Sequence, residues 1–252
     1  MVQNRQIVIG DVHGQYDGLV RLLDAIGPTS DDRVYFLGDL IDRGPKSAQV
    51  LSLVKQQGYV SLSGNHEQML LEAFPNGKAA PSALAAWLYS GGQATLDSFD
   101  NIYDLLAQLS WIDSWPTYLD LGNVWLVHAG VNPDLRLEEQ TKQDLCWIRQ
   151  KFHSTRRPYF NDKLIITGHT ITFTLPDISP GALVRGEGWL DIDTGAYHPR
   201  SGWLTGLDIH NQRVYQVNIY TKAERRLPLE EAAVKIDPAL IPHRRPLARF
   251  AG

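Results

Sequence analysis

The first third of the chain runs through one pattern three times: a short apolar run, a glycine, a polar loop, then a helical periodicity. Gln6-Ile7-Val8-Ile9-Gly10 precedes Tyr16 to Ile26, where Leu19, Leu22, Leu23 and Ile26 share one helical face. Arg33-Val34-Tyr35-Phe36-Leu37-Gly38 precedes Ser47 to Gln57, with Val50, Leu51 and Val54 on one face. Tyr59-Val60-Ser61-Leu62 leads through Ser63-Gly64 into His66 to Phe74. Strand, loop and helix in this order predict βαβ units with parallel strands, so the fold class is α/β. The glycines fall where each strand must turn sharply at its carboxyl end.

Composition narrows the class further. The 252 residues are 43% hydrophobic and 21% charged, which excludes a disordered or fibrous chain. The formal net charge of -4 argues against nucleic acid as a partner, since binding to phosphate backbones calls for a positive field. No apolar run approaches the roughly 20 residues that span a bilayer. Met1 to Gly10 does not read as a signal peptide, and the expectation is no membrane partner. The lone Cys146 cannot close an internal disulfide, which fits a reducing, cytoplasmic compartment.

The expected organisation is one catalytic domain over 1–220 and a C-terminal tail over 221–252. Between Lys78 and Pro116 charges thin out and aromatics gather, with Gly91-Gly92 separating two helical patterns. This predicts a helical insertion, about 78–117, over one edge of the sheet and a candidate wall of the active site. Strands resume at Trp125-Leu126-Val127-His128 and Lys163 to Thr167, with a helix from about Lys142 to Phe152 between them. Leu190 to Asp193, Trp203 to Leu207 and Arg213 to Tyr220 read as antiparallel strands. The tail holds Pro228, Pro238, Pro242 and Pro246 and reads as an extended surface segment with one short helix near Glu230.

Chemistry concentrates at the strand ends. Gly10-Asp11-Val12-His13-Gly14, Gly38 to Gly44, Gly64-Asn65-His66-Glu67, His128-Ala129-Gly130 and Gly168-His169 each set polar side chains just after an apolar run. In an open α/β sheet these carboxyl ends lie along one rim, where ligand sites form. Taken singly, Asp11 or Asp39 is a turn former or a helix cap, and a buried histidine is a hydrogen-bonded core residue. Together they offer Asp11 and His13 two residues apart, Asp39 as a carboxylate able to bridge, an amide oxygen from Asn65, and imidazoles from His128 and His169. Mixed oxygen and nitrogen donors without thiolate suit Mn²⁺, Fe or Zn²⁺ rather than Ca²⁺. Six donors with one bridge suffice for two divalent ions about 3.5–4 Å apart. His153, His198, His210 and His243 fall outside this pattern and read as surface or structural residues.

These motifs resemble the phosphoprotein phosphatase family of metal-dependent phosphoesterases, whose signature is GDxHG, GDxxDRG and GNHE with later HAG and GH elements. The first three stand complete at Gly10–Gly14, Gly38–Gly44 and Gly64–Glu67, and the likeness runs from about Ile7 to Ala196. It implies a sandwich of two mixed sheets flanked by helices, with a dinuclear centre at the sheet rim, manganese being the first expectation for both ions. By that match Asp11 and His13 hold one metal, Asp39 bridges, and Asn65, His128 and His169 hold the second. A metal-bridging hydroxide attacks phosphorus, His66 protonates the leaving group and Asp42 orients its ring. Arg43 and Arg149 clamp the phosphate oxygens. Glu67 reads as a helix-start or supporting carboxylate.

One position departs from the family: Ser63 stands where many members carry Arg before GNHE. That removes a positive charge near the substrate and leaves the metal chemistry intact. Asp193-Thr194-Gly195 is similar to the aspartic protease motif but occurs once, and reads as a turn near the site. The implied activity is serine/threonine protein phosphatase, with phosphorylated proteins or small phosphoesters as substrates, and the bacterial branch is the nearest. A dinucleoside-tetraphosphate hydrolase of the same superfamily is the alternative enzyme. Asp42 and the GNHE ending argue against it, since that relative tends to lack both. A catalytically inactive phosphate-binding module is the alternative from another class.

Overall fold

The computed structural model of the chain describes residues 4–241. Its elements begin with β1 (Gln6–Ile9), α1 (Tyr16–Ile26), β2 (Arg33–Phe36), α2 (Ser47–Gln56), β3 (Val60–Ser61) and α3 (Asn65–Ala73). Short helices follow: α4 (Pro81–Trp87), α5 (Gln93–Asp97), α6 (Ile102–Leu106) and α7 (Leu109–Asp113). Next come β4 (Tyr118–Asp120), β5 (Val124–Val127), α8 (Lys142–Trp147), α9 (Gln150–His153) and β6 (Leu164–Thr167). The last part holds β7 (Leu183–Gly186), β8 (Trp189–Asp191), β9 (Trp203–Asp208), β10 (Arg213–Asn218), β11 (Glu224–Pro228), α10 (Leu229–Ala232) and β12 (Ala233–Lys235).

The strands form two six-stranded sheets, in the orders β11-β10-β9-β1-β2-β3 and β12-β7-β8-β6-β5-β4. Parallel pairing joins β1, β2 and β3, and also β5, β6 and β8. The meander β9, β10 and β11 is antiparallel throughout and joins β1 antiparallel through β9, and β4 and β7 run antiparallel to the second group, so both sheets are mixed. Alternation along β1 explains the stacking: Ile7 and Ile9 point to one face and Val8 to the other. Val8, Leu62 and Leu207 meet Leu126, Ile166 and Leu190 in a layer between the sheets. Ile7, Ile9 and Phe36 pack outward against Leu19, Leu22, Val50 and Leu70 of α1, α2 and α3. On the far side Trp125, Ile165 and Val184 pack against Leu145 and Phe152 of α8 and α9. The result is a sandwich of two mixed sheets flanked by helices.

The insertion is helical and joins the outer cluster through Trp87, Leu105 and Ile112. Two expectations need correction. The helix foreseen from Lys142 to Phe152 is two helices, because Ile148 is extended at ψ 144° and Arg149 turns at φ -133°, ψ -101°. The break lets the Arg149 carbonyl accept from the Phe152 and His153 amides while its guanidinium reaches the His169 carbonyl. The segment read as a tail is woven into both sheets. β11 pairs antiparallel with β10, β12 pairs parallel with β7, and Leu227, Leu229 and Ala232 enter the layer between the sheets. Edge strands of five and three residues carry too little period-2 pattern to announce themselves, and Pro228 falls at a strand's last position, where it is tolerated. Residues 242–252, with Pro242, His243 and Pro246, lie outside the described residues.

Candidate metal centre and active site

The loops after β1, β2, β3, β5 and β6 meet at one rim. They are zipped by backbone hydrogen bonds: the Val12 and His13 amides to the Asp39 carbonyl, Gly14 to Leu40, and Gly168 to His128. Close approach is built in at Gly168, where a Cβ would overlap the Asp11 carboxylate, and at Gly64, where it would overlap that of Asp39. Glu67 acts as a staple. Its carboxylate accepts from the Asp39, Leu40 and Gly64 amides at 2.9 Å each, joining the second and third loops. Burial and the nearby Asp39 charge push the Glu67 carboxyl up to about 7.

The backbone at this rim is strained. Nine non-glycine residues among those described have positive φ, and five of them are His13, Asp39, Asp42, Arg43 and His169, at 48–72°. Such residues cost about 1–3 kcal/mol each and persist where surrounding structure over-determines them. Their concentration at one place marks it as functional ground.

His13, Asp39, Arg43, Asn65, His66, Arg149, His169, Ile171, Thr174, Asp193 and Tyr197 line a cavity of about 120 Å³. Asp11 and His128 lie buried behind it. A larger cleft of about 580 Å³ opens beside Pro28 to Tyr35, but no histidine lines it. His13 and His66 nitrogens lie 3.6 and 4.0 Å from Asp39 Oδ2, and His128 Nε2 lies 3.4 Å from Asp39 Oδ1. Asn65 Oδ1 is 3.0 Å from His128 Nε2 and 2.7 Å from His169 Nδ1. Two groups of donors able to hold a metal ion thus share Asp39: one with His13 and His66, the other with His128 and His169.

The second ring nitrogens separate these histidines. His13 Nδ1 meets the Ile41 carbonyl at 2.9 Å, His128 Nδ1 the Leu37 carbonyl at 2.8 Å, and His169 Nε2 the Trp147 carbonyl at 3.3 Å. A backbone carbonyl on one nitrogen fixes the tautomer and turns the other lone pair inward, as metal-binding imidazoles require. His66 is different. Its Nδ1 meets Asp42 Oδ2 at 2.5 Å, and its Nε2 lies 3.0 Å from Arg43 Nη2. The Asp42 carboxylate also accepts from Trp87 Nε1 at 2.9 and 3.1 Å and from Thr95 Oγ1 at 2.7 Å.

The electrostatics ask for cations. Burial, with Asp193 and Asp39 close by, pushes the Asp11 carboxyl well above the usual range. Burial raises Asp193 to about 6. Burial also opposes charge on Asp39, and it is the positive charge that His128, His66, His13 and His169 carry when protonated that holds Asp39 below the carboxylate range. Burial lowers His13, His128 and His169, leaving them neutral donors. Crowded carboxylates among imidazoles disfavoured as cations, with no lysine or arginine on Asp11 among the described residues, fit a pair of divalent ions.

The family model described as calcineurin-like phosphoesterase matches residues 5–200. The chain belongs to the calcineurin-like phosphoesterase family. Its metal-dependent hydrolase chemistry accounts for the donor clusters. This phosphoesterase is 37% identical over 129 residues to the symmetrical bis(5'-nucleosyl)-tetraphosphatase of Dechloromonas aromatica, covering 50% of this chain and 43% of that one. It is 41% identical over 95 residues to serine/threonine-protein phosphatase 2 of Escherichia coli, covering 37% and 41%. Each match spans less than half of the relative's length. A cold-active protein-tyrosine phosphatase of a psychrophilic Shewanella superposes with a TM-score of 0.57 over 89% of this chain and 80% of that one. At 20% identity that likeness bears on the fold alone.

All ten residues singled out by sequence gather at this rim. Arg43 and Arg149 both face the cavity, and Arg149 Nη1 donates to the His169 carbonyl and Thr170 Oγ1. Sequence reasoning missed Tyr197 and the Trp87 and Thr95 donors to Asp42, and read Asp193 as a turn near the site, which it is, while also lining the cavity. The position of Asp193 and Tyr197 just beyond β8, at another carboxyl end of the same sheet, was the available signal. Nothing in the sequence tied Trp87 or Thr95 to Asp42.

Proposed function

We propose that this phosphoesterase is a phosphomonoesterase acting on phosphoserine and phosphothreonine in proteins, in the cytoplasm, with small phosphoesters also cleaved. Asp11, His13 and Asp39 would hold one divalent ion, and Asp39, Asn65, His128 and His169 a second, with manganese the first candidate for both. Bound there, the ions would acidify water into a nucleophile at neutral pH and draw charge from the phosphoryl oxygens. Arg43 and Arg149 orient the phosphoryl group by charge-assisted hydrogen bonds. His66 gives its Nε2 proton to the leaving oxygen, and Asp42 holds the ring and favours the charged form. Although burial opposes it, the His66 pKa is raised by Asp39 and by the hydrogen bond and charge of Asp42, which keeps an acid available near neutrality.

The observation that carries this reading is the His66–Asp42 pair, set beside the donor clusters but turned away from their carbonyl-anchored pattern. A cavity of about 120 Å³ suits a phosphoryl group and leaves the rest of the substrate outside. Relatives named as bis(5'-nucleosyl)-tetraphosphatases favour a second reading, cleavage of dinucleoside tetraphosphates. Initial rates of the manganese-loaded protein on a phosphoserine peptide and on diadenosine tetraphosphate decide between them. Faster peptide cleavage supports the first reading, and faster tetraphosphate cleavage replaces it with the second.

A further inference from the structure

Tyr197 enters the cavity from the turn after β8, and it touches two of the residues already described there. The Arg43 guanidinium carbon lies 4.2 Å above the centre of its ring. The His13 ring meets it edge-on, centroids 4.8 Å apart at 84°. The turn that carries it is held at three points: the Gly195 amide donates to Asp193 Oδ1 at 2.9 Å, Gly195 adopts φ 76°, and Tyr220 Oη donates to the Tyr197 carbonyl at 2.5 Å. Arg43 by contrast is a long side chain on a left-handed backbone, tied by its amide to the Gly91 carbonyl at 3.1 Å.

A guanidinium stacked on an aromatic ring uses its face and leaves its in-plane N–H groups free. Here Arg43 Nη2 lies 3.0 Å from His66 Nε2, so the ring contact holds the guanidinium beside the nitrogen assigned to the leaving group. We infer that Tyr197 is a positioning residue for phosphate recognition: its ring holds Arg43 in the plane from which the guanidinium meets a phosphoryl oxygen. The inference rests on the reading of Arg43 as a phosphate clamp. It matters more in this chain because Ser63 occupies the place before Gly64-Asn65-His66-Glu67, which leaves Arg43 and Arg149 as the arginines lining the cavity.

The test uses the full chain loaded with manganese, p-nitrophenyl phosphate turnover, and inorganic phosphate binding by calorimetry. Tyr197→Leu is expected to raise KM and the phosphate Kd about tenfold, with kcat changed far less. Tyr197→Phe keeps the ring and is expected to restore both values to near those of the parent. In an Arg43→Ala background the Tyr197→Leu change is expected to add nothing. An unchanged KM and Kd in Tyr197→Leu, or the same loss without Arg43, overturns the inference. Where Tyr197→Leu loses metal or melts early, fluorinated phenylalanines at 197 preserve shape and weaken the ring's negative face. A phosphate Kd that rises with each fluorine supports the stack, and a flat series refutes it. A parent protein that binds phosphate but hydrolyses no phosphoester sinks the proposed function while leaving the Tyr197 series readable.

Discussion

At the scale of single residues, the roles divide by what each imidazole's second nitrogen touches. His66 alone among the four rim histidines pairs with a carboxylate there, and the proposed role for it is to carry a proton. His66→Asn is therefore expected to lower turnover by about 10²–10⁴-fold with metal content unchanged, read by p-nitrophenyl phosphate kinetics beside elemental analysis. Full turnover with metal bound would remove His66 from the mechanism. Glu67 works through others, accepting three backbone amides. Glu67→Gln places an NH₂ against one of those N–H groups, and metal affinity is expected to fall about 10–100-fold, measured by competition with a chelating dye. Most of these residues were legible in advance because Asp, His and Asn after an apolar run have few other uses in such numbers. Tyr197 was not, since an aromatic in a turn has the same sequence appearance whether it stacks on a site arginine or on solvent.

Among the elements, α1 is anchored beside the start of β1 and β2 by one arginine. Its C-terminus ends at Gly27, φ 59°, and Arg5 donates to the Ile26 and Gly27 carbonyls while pairing with Asp32 at 2.6 Å. Hydrogen bonds from Arg5 outweigh burial and hold the Asp32 carboxyl well below the carboxylate range. A depressed carboxyl pKa stabilises the fold fully above the unfolded value of about 3.9, and that stabilisation is lost as pH falls below it toward the folded value. Asp32→Asn is expected to lower Tm most at neutral pH, with the difference from the parent shrinking on acidification through pH 4. A difference independent of pH would show that the ion pair is not its cause. β12 offers a second test. Ile236, 4% exposed just after this strand, fills the cluster on the far side of the second sheet with Trp125 and Val184. Ile236→Ala is expected to cost about 2–5 kcal/mol in urea unfolding, whereas a surface-tail residue would cost next to nothing.

For the whole molecule, the site lies where the carboxyl ends of two sheets face one another, the first bringing Asp11, Asp39 and Asn65 and the second His128 and His169. Bound ions would tie the sheets together and neutralise carboxylates that burial now opposes. Chelation is expected to lower Tm, with roughly 4 kcal/mol at stake when free metal stands at a thousand times Kd. Calorimetry with EDTA, then with added Mn²⁺, reads the loss and its recovery. A melting curve indifferent to both would contradict a metal centre held by these donors.

Local chemistry was readable from the chain alone: β-branched runs make strands, glycines allow the turns after them, and the polar residues next in line must lie at strand ends. The three βαβ units and the mixed oxygen and nitrogen donor set follow from those short-range constraints, whereas the His66–Asp42 pairing was implied only by the family resemblance. What joins distant segments did not follow. The weak edge strands β11 and β12, the break at Arg149, and the contacts of Trp87, Thr95 and Tyr197 each depend on a partner far along the chain. Pairing energy for such segments comes from the neighbour rather than from their own residues, so only the assembled fold could decide them.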